Sequence, residues 1–401
     1  MDRAVEIPYR GYWSTPFARW QGSLAHLHSL RFAAHVAARE IARRDIDPHV
    51  FDFGVLGMTR PERGSFYGLP WLMGLAGAGH VGGPTVSQAC ATSVRTVQVA
   101  VQEVDDGVAS CALAVACDRT SNGPHIYYPD PKAPGGTGAA EDFIMDNMNC
   151  DPLGGHSMTQ TAENVAAKHG ITTDEQHELL LGREQQYAEA QADDRAFQKR
   201  YMNLPFSVPD ACYRKEIAVL DGDEGVRMST REALDSLRPV IAGGTVTFGG
   251  QTHPADGNAA MIIATPEMAR ELSADPSVRV RILGFGLSRA ALGFMPEATI
   301  GAADQALQLA DLELRRLDAI KTHNPFALND IVFARETGTD LHAMNNFGCS
   351  LVWGHPNAPT GLRSVIELIE ELALRGGGVG LFTGCAAGDT AMAMVVEVGD
   401  R

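Results

Sequence analysis

The stretch that most constrains this chain runs from residue 83 to 116, where an extended run, a cysteine-headed helix and a continuous apolar run follow one another. Residues 84–87 are short, apolar and β-branched in character. Residues 91–106 (ATSVRTVQVAVQEVDD) space Val94, Val97, Val99, Val101 and Val104 with polar residues between them, which predicts a mostly buried helix closed by Gly107. Residues 110–116 (SCALAVA) lack polar alternation and suit a strand buried on both faces. Strand, helix and buried strand in that order predict a parallel βαβ crossover, and so an α/β fold. Cys90 lies where the first strand gives way to the helix. Unpaired N–H groups and the positive end of the helix dipole favour a thiolate there, so Cys90 is a candidate nucleophile, its pKa expected to fall from about 8.5 into a range of about 3.5–7.5. The position equally suits a small buried cysteine packed like an alanine.

A chain of 401 residues, 45% hydrophobic and 20% charged, is a soluble globular type of two to three domain-equivalents. Its formal net charge of −16 argues against nonspecific nucleic-acid binding, although a local basic pocket can still hold an anionic ligand. No apolar run approaches the length of a membrane span. The N-terminal MDRAVEIPYRGYW has no apolar leader core and the last three residues are no peroxisomal signal, so a cytoplasmic location is expected. The seven cysteines (Cys90, Cys111, Cys117, Cys150, Cys212, Cys349, Cys385) are odd in number and lack the paired short spacings of zinc sites. Reduced thiols are expected, with neither a disulfide framework nor a structural metal.

Residues 23–44 repeat apolar positions at three- and four-residue steps and predict an amphipathic helix, in which His26, His28 and His35 read as scaffold. Residues 51–58 predict a strand and residues 60–68 a turn-rich loop. From 119 to 243 the character changes to a Pro- and Gly-rich stretch followed by polar helices, with little sign of buried strands. Helices are expected over 157–169, opened at Thr159, and 173–195, capped by Thr172 or Thr173 with Glu175. Such an insertion is expected to cover and bind a substrate. Residues 257–263 and 388–394 share the pattern Gly-x-x-Ala-Met ahead of an apolar strand, which implies two related α/β halves, 1–118 plus 244–274 and 275–401, with 119–243 inserted. The second half predicts a strand at 278–285, a helix at 300–310, a strand at 319–322 ending at His323, a helix at 361–375 and a strand at 379–383 ending at Cys385. In open α/β folds loops converge on ligands at the carboxyl ends of parallel strands, which ranks His323 and Cys385 above the other histidines and cysteines.

Six segments, QACATS (88–93), HSMTQTAENVA (156–166), GGTVTFGGQTHPADGNAA (243–260), HNPFA (323–327), NNFGCSLVWGHPNAPTGLR (345–363) and TGCAAGDTAMAMVVE (383–397), resemble the motifs of the thiolase superfamily. They occur in that family's order and cover nearly the whole chain. The resemblance implies two pseudo-symmetric α/β halves in an α-β-α-β-α layering with an inserted loop subdomain that binds coenzyme A. It implies an acyltransferase that exchanges acyl groups between CoA thioesters, by Claisen condensation or thiolytic cleavage of a 3-oxoacyl-CoA. Cys90 would be the nucleophile, because a thioester holds an acyl group that carbon or sulfur can later attack. His355 would be its general base, Cys385 would move a proton at Cα or at the CoA sulfur, and His323 would bind a thioester oxygen. Backbone N–H groups at Cys90 and near Ala387 would form a second oxyanion hole. His156 and Thr252 align with positions that approach the pantetheine and thioester end. CoA enters as a substrate, with no separate cofactor, and the family favours a homodimer or homotetramer, for which 110–116 and 122–128 suggest an edge-to-edge interface.

Three departures from the family pattern stand out. His323-Asn324-Pro325-Phe326 is closer to the histidine variant of sterol-carrier-type thiolases, Cys385-Ala386-Ala387 replaces the usual Cys-x-Gly, and Cys349 stands in place of a glycine, read as packing. Lys168, Arg183, Lys199, Arg200, Arg214 and Lys215 are the basic residues of the insertion that phosphates could meet. A ketosynthase-type condensing enzyme, which normally completes its site with two histidines, and a non-catalytic acyl-CoA-binding protein are the alternatives.

Overall fold

The structure, a computed structural model, describes residues 5–399; the readings of the extreme chain ends lie partly outside the described residues. Short strands β1 (Tyr12–Ser14) and β2 (Ala18–Arg19) come first. Helix α1 (Ser29–Arg43) starts six residues later than its periodicity predicts, because residues 22–27 close tight turns, with Ala25 N bonded to Gly22 O and Leu27 N to Leu24 O. Then follow β3 (Phe53–Gly57), α2 (Gly68–Leu75), β4 (Thr85–Val86), α3 (Thr92–Asp105) and β5 (Cys111–Arg119). The inserted region holds β6 (His125–Tyr128), β7 (Ala139–Asp142), α4 (Met145–Asn149), α5 (Met158–His169), α6 (Thr173–Arg195), β8 (Phe206–Pro209), β9 (Glu216–Leu220) and α7 (Arg231–Asp235). The chain returns through β10 (Ala255–Ala264) and α8 (Pro266–Leu272). The second half is β11 (Val280–Arg289), α9 (Ala298–Leu309), β12 (Ala319–His323), α10 (Ala327–Thr337), α11 (Ser350–Trp353), α12 (Ala358–Leu374), β13 (Gly378–Ala386) and β14 (Thr390–Val398).

The crossover read from residues 83–116 is present, with one refinement. Both β4 and β5 pair in parallel with β3, so the connection through α3 steps over a strand. The first sheet runs β1-β10-β5-β3-β4 and the second β11-β14-β13-β12. In each, the strand after the Gly-x-x-Ala-Met pattern lies antiparallel to a long central strand, which is parallel to the next. The two halves therefore repeat one topology, the first adding β4 at its edge.

Alternation along β5 fixes the layers. Ala112, Ala114 and Ala116 face a shared core with α3 and α12, while Cys111, Leu113, Val115 and Cys117 face α1 and α2. On β14, Met392, Met394 and Val396 face that same central core, and Ala391, Ala393 and Val395 face α9. The result is the expected five-layer α-β-α-β-α stack, with α3 and α12 between the sheets. These two helices meet closely at Gly361, where a Cβ would lie 2.9 Å from Ser93 Oγ.

Three readings need correction. Residues 110–116 offer no edge for an interface, since β5 is hydrogen-bonded by β3 on one side and β10 on the other. The outermost strands of that sheet are β1 and β4. The insertion is not free of strands: β6–β7 and β8–β9 are antiparallel hairpins, too short for their alternation to show in sequence. Helix α5 is capped by Ser157, which accepts from Gln160 N, and not by Thr159, whereas α6 carries the expected Thr172–Glu175 capping box. The insertion is bound to the core by buried charge. Asp223 pairs with Arg363 of α12 at 2.6 Å, and Arg183 of α6 pairs with Asp330 of α10 at 2.9 Å.

Candidate active site

Cys90 stands on a strained turn between β4 and α3. Ala89, directly before it, has φ 43°, a left-handed conformation that costs a β-carbon-bearing residue roughly 1–2 kcal/mol. Thr92 braces the turn, its hydroxyl accepting from Gln88 N at 2.8 Å and donating to Ala89 O at 2.6 Å. From this turn the sulfur lies 3.2 Å from His355 Nε2. The other ring nitrogen, Nδ1, is 2.7 Å from Thr360 Oγ1, and Nδ1–H donating there leaves Nε2 free to accept from the thiol. The main chain holds the same ring in place through His355 N to His253 O at 2.8 Å.

The acidity of Cys90 corrects the expectation from its helix-start position. Burial pushes the thiol up to about 11, outweighing the Ala387 N–H, the Arg60 guanidinium and its own N–H, which pull it down. Burial, with the neighbouring His323 and Arg60, holds His355 well below the ordinary histidine range. The pair at rest is thiol and neutral imidazole, so proton transfer must accompany attack.

His323 ends β12 and faces His355, with ring centroids 4.2 Å apart and planes inclined by 33°. Cys90 Sγ and one ring nitrogen of each histidine all lie within 4.8 Å of one another. Burial pushes His323 down to about 3. Its Nδ1 is 2.8 Å from Ser350 Oγ, and its Nε2 is buried with no hydrogen-bond partner. Ser350 has one proton to give, either to His323 Nδ1 or to Asn324 Oδ1 at 3.0 Å. The first choice places an N–H at Nε2, ready for an oxygen.

Cys385 lies near the end of β13, opposite Ala391 of β14. Asn329 Nδ2 donates to its sulfur at 3.3 Å, while the Asn329 oxygen accepts from Phe326 N. Burial, then the nearby Cys90 thiol, pushes Cys385 upward in pKa. Two residues on, Ala387 aims its N–H at the Cys90 sulfur. It is not among the described residues with positive φ, so alanine in place of the usual glycine brings no left-handed strain.

His156 lies beside the β13–β14 turn, Nε2 4.0 Å from Asp389 Oδ2 and without a hydrogen bond. Thr252 is tied to the α10 and α11 starts, its N–H to Pro325 O at 2.7 Å and its hydroxyl to Ser350 O. It lines a groove of about 370 Å³ with Leu180, Ser229, Phe248, Leu351 and Arg227. A second cavity, about 290 Å³, is lined by Ala89, Ala387, Asn357 and Arg60 together with Phe143, Ile144 and Met148. Among the basic candidates, Arg183 is buried against Asp330, Arg200 is paired with Glu370, and Lys168 and Lys199 are paired with Glu297 and Asp194.

Reasoning from sequence missed Arg60, Asn329, Ser350 and Thr360. Three of them lie within or just beyond the HNPFA and GHP segments, so their place in those segments was a usable signal. Arg60 sat in a loop read only for its turns.

Residues 12–267 match the family model described as the thiolase N-terminal domain, and residues 278–398 match the thiolase C-terminal domain. The chain is 31% identical over 392 residues to the acetyl-CoA acetyltransferase of Escherichia coli (strain K12), covering 96% of each. It is 29% identical over 426 residues to the 3-ketoacyl-CoA thiolase of Erwinia tasmaniensis, covering 96% of this chain and 94% of that one. The crystal structure of human mitochondrial 3-ketoacyl-CoA thiolase shares the fold at a TM-score of 0.89 and 24% identity, over 98% of both chains.

Proposed function

The chain belongs to the thiolase superfamily and is an acyltransferase, and on that premise we propose that it moves acyl groups between CoA thioesters through an acyl-cysteine on Cys90. The observation that carries this reading is the 3.2 Å approach of Cys90 Sγ to an imidazole nitrogen, with a second thiol and an N–H donor beside it. In the cleavage direction, Cys90 gives its proton to His355 Nε2 as its sulfur attacks the C3 carbonyl of a 3-oxoacyl-CoA. The oxygen of the tetrahedral adduct takes the N–H groups of Cys90 and Ala387. The C2–C3 bond breaks, its electron pair passes to C2 as the enolate of acetyl-CoA, and Cys385 protonates that carbon. His323 donates from Nε2 to the enolate oxygen, its Nδ1 accepting from Ser350.

Free CoA then gives its thiol proton to the Cys385 thiolate and attacks the acyl-cysteine. Cys90 leaves as thiolate and recovers its proton from His355. Asn329 orients Cys385 in both half-reactions.

Binding of CoA is assigned to the groove at Thr252, which Arg227 also lines, and to His156 at the thioester end. The insertion 119–243 serves as the covering subdomain between halves 1–118 plus 244–274 and 275–401. A homodimer or homotetramer remains the expectation from the family and a cytoplasmic location the expectation from the sequence; no helix among the described residues is long and apolar enough to cross a membrane. For the ketosynthase-type alternative, the facing histidines are the supporting feature, but a thiol at 385 held by Asn329 has no part in a two-histidine site.

The test is thiolysis of acetoacetyl-CoA by free CoA, followed by ultraviolet absorbance. Wild-type protein is expected to cleave it and Cys90→Ala to lose at least about 10⁴-fold in rate. Cleavage by the variant at the wild-type rate would sink the assignment.

A further inference from the structure

Resting on that acyl-transfer reading, we propose that Arg60 reads the far end of the acyl group, so that the 290 Å³ cavity beside Cys90 takes 3-oxoacyl chains ending in a carboxylate. The cavity adjoins the reacting cysteine, since its wall includes Ala89, directly before Cys90, and Ala387, whose N–H is aimed at the sulfur. Phe143, Ile144 and Met148 supply an apolar wall that fits methylene groups. A chain of methylenes alone would leave Arg60 unexplained. Arg60 is only 5% exposed, and among the described residues no carboxylate lies within ion-pair distance of it. Among the described residues its guanidinium makes a single long hydrogen bond, Nη1 to Pro356 O at 3.5 Å.

A guanidinium taken from water without a counter-ion is costly, and five donors want acceptors. The buried carboxylate with the largest electrostatic influence on Arg60, Asp118, is already committed. Its oxygens accept from Thr59 N, Thr59 Oγ1, Arg60 N and Ala358 N, so it tempers the charge from a distance without engaging the side chain. Asp256 also acts only from beyond ion-pair range, one oxygen being bound by Thr120 and Ser121. Glu141, which lines the cavity, is held by Tyr128 Oη at 2.8 Å and Asn147 Nδ2 at 2.7 Å. A substrate carboxylate is the acceptor that completes this arrangement, and the planar fork of arginine matches it in two parallel hydrogen bonds.

The rival role for Arg60, supporting negative charge on Cys90, would affect every substrate alike. The experiment therefore compares kcat/KM for thiolysis of 3-oxoadipyl-CoA with that for 3-oxohexanoyl-CoA, which has the same chain length and a methyl end. Wild-type protein is expected to favour the carboxylate by about 10- to 100-fold, the range of a charge-assisted hydrogen bond. Arg60→Met should collapse that ratio to near or below one whatever it does to the absolute rates, and Arg60→Lys should restore part of it.

If Arg60→Met does not fold, the wild-type ratio decides, with the ω-amide analogue expected to fall between the two substrates. Equal or faster cleavage of the methyl-ended substrate by wild-type protein overturns the inference and leaves the acyl-transfer reading standing. A ratio unchanged in Arg60→Met overturns it too. Failure to cleave either substrate or acetoacetyl-CoA overturns both.

Discussion

A thiol pushed up to about 11 beside an imidazole held well below its usual range is a neutral pair throughout the physiological range. The sign matters for reactivity. Because the thiol pKa is raised, the thiolate fraction below it grows about tenfold with each pH unit. Inactivation by iodoacetamide is therefore expected to keep rising between about pH 7 and 10, with the label on Cys90. A plateau below about pH 8 would show a stable thiolate–imidazolium pair and contradict the neutral one. At this scale the sequence was informative about which residues meet and uninformative about their state. The helix start at Cys90 pointed to an acidic thiol, but desolvation is set by chain segments hundreds of residues away, among them the loop of His355 and the turn of Ala387. Asn329 and Thr360 were missed for a related reason: each acts on a reactive group by aiming a small polar atom, which leaves no periodic trace.

Helix α12 carries the main lesson about elements. Residues 361–375 predict a helix, and its apolar residues do pack between the sheets, yet its charged residues are buried as well. Arg363 is sandwiched by Trp353 and Phe17 and pairs with Asp223 and Glu367, while Glu367 also holds Lys321 at 3.1 Å. Asp223 lies within residues 119–243, so this cluster ties that segment to the core. Arg363→Met is expected to destabilise the fold by about 3–5 kcal/mol, because it leaves Asp223 buried without its cation and Glu367 with Lys321 alone. Denaturant unfolding would measure it; a loss under about 1 kcal/mol would mean that the cluster contributes little to holding the insertion. Helix α1 and the two small hairpins of the insertion show the converse. Their limits depend on local turns and on strands of four or five residues, where apolar periodicity is too short to fix a boundary.

Across the whole molecule, the duplication explains why a site exists where it does. The Gly-x-x-Ala-Met pattern recurs because Met261 and Met392 fill equivalent places in one central core, and two sheets of the same order bring their strand ends to a common seam. The first half supplies Cys90 and Arg60; the second supplies His323, His355 and Cys385. Alternating runs and motif order made this architecture legible before any coordinates. The lining of the cavities was not, since it depends on how the insertion folds back over the seam.

The central claim is a division of labour between two thiols, Cys90 carrying the acyl group and Cys385 only a proton. The most direct measurement is peptide mass spectrometry of the Cys385→Ala variant after incubation with acetyl-CoA. A stable acetyl group on Cys90 is expected, together with thiolysis and condensation rates lower by about 10²-fold or more, because the step that protonates or deprotonates the second substrate has lost its group. Absence of the adduct in that variant, with an acetyl group found on Cys385 in Cys90→Ala instead, would exchange the two roles and contradict the account.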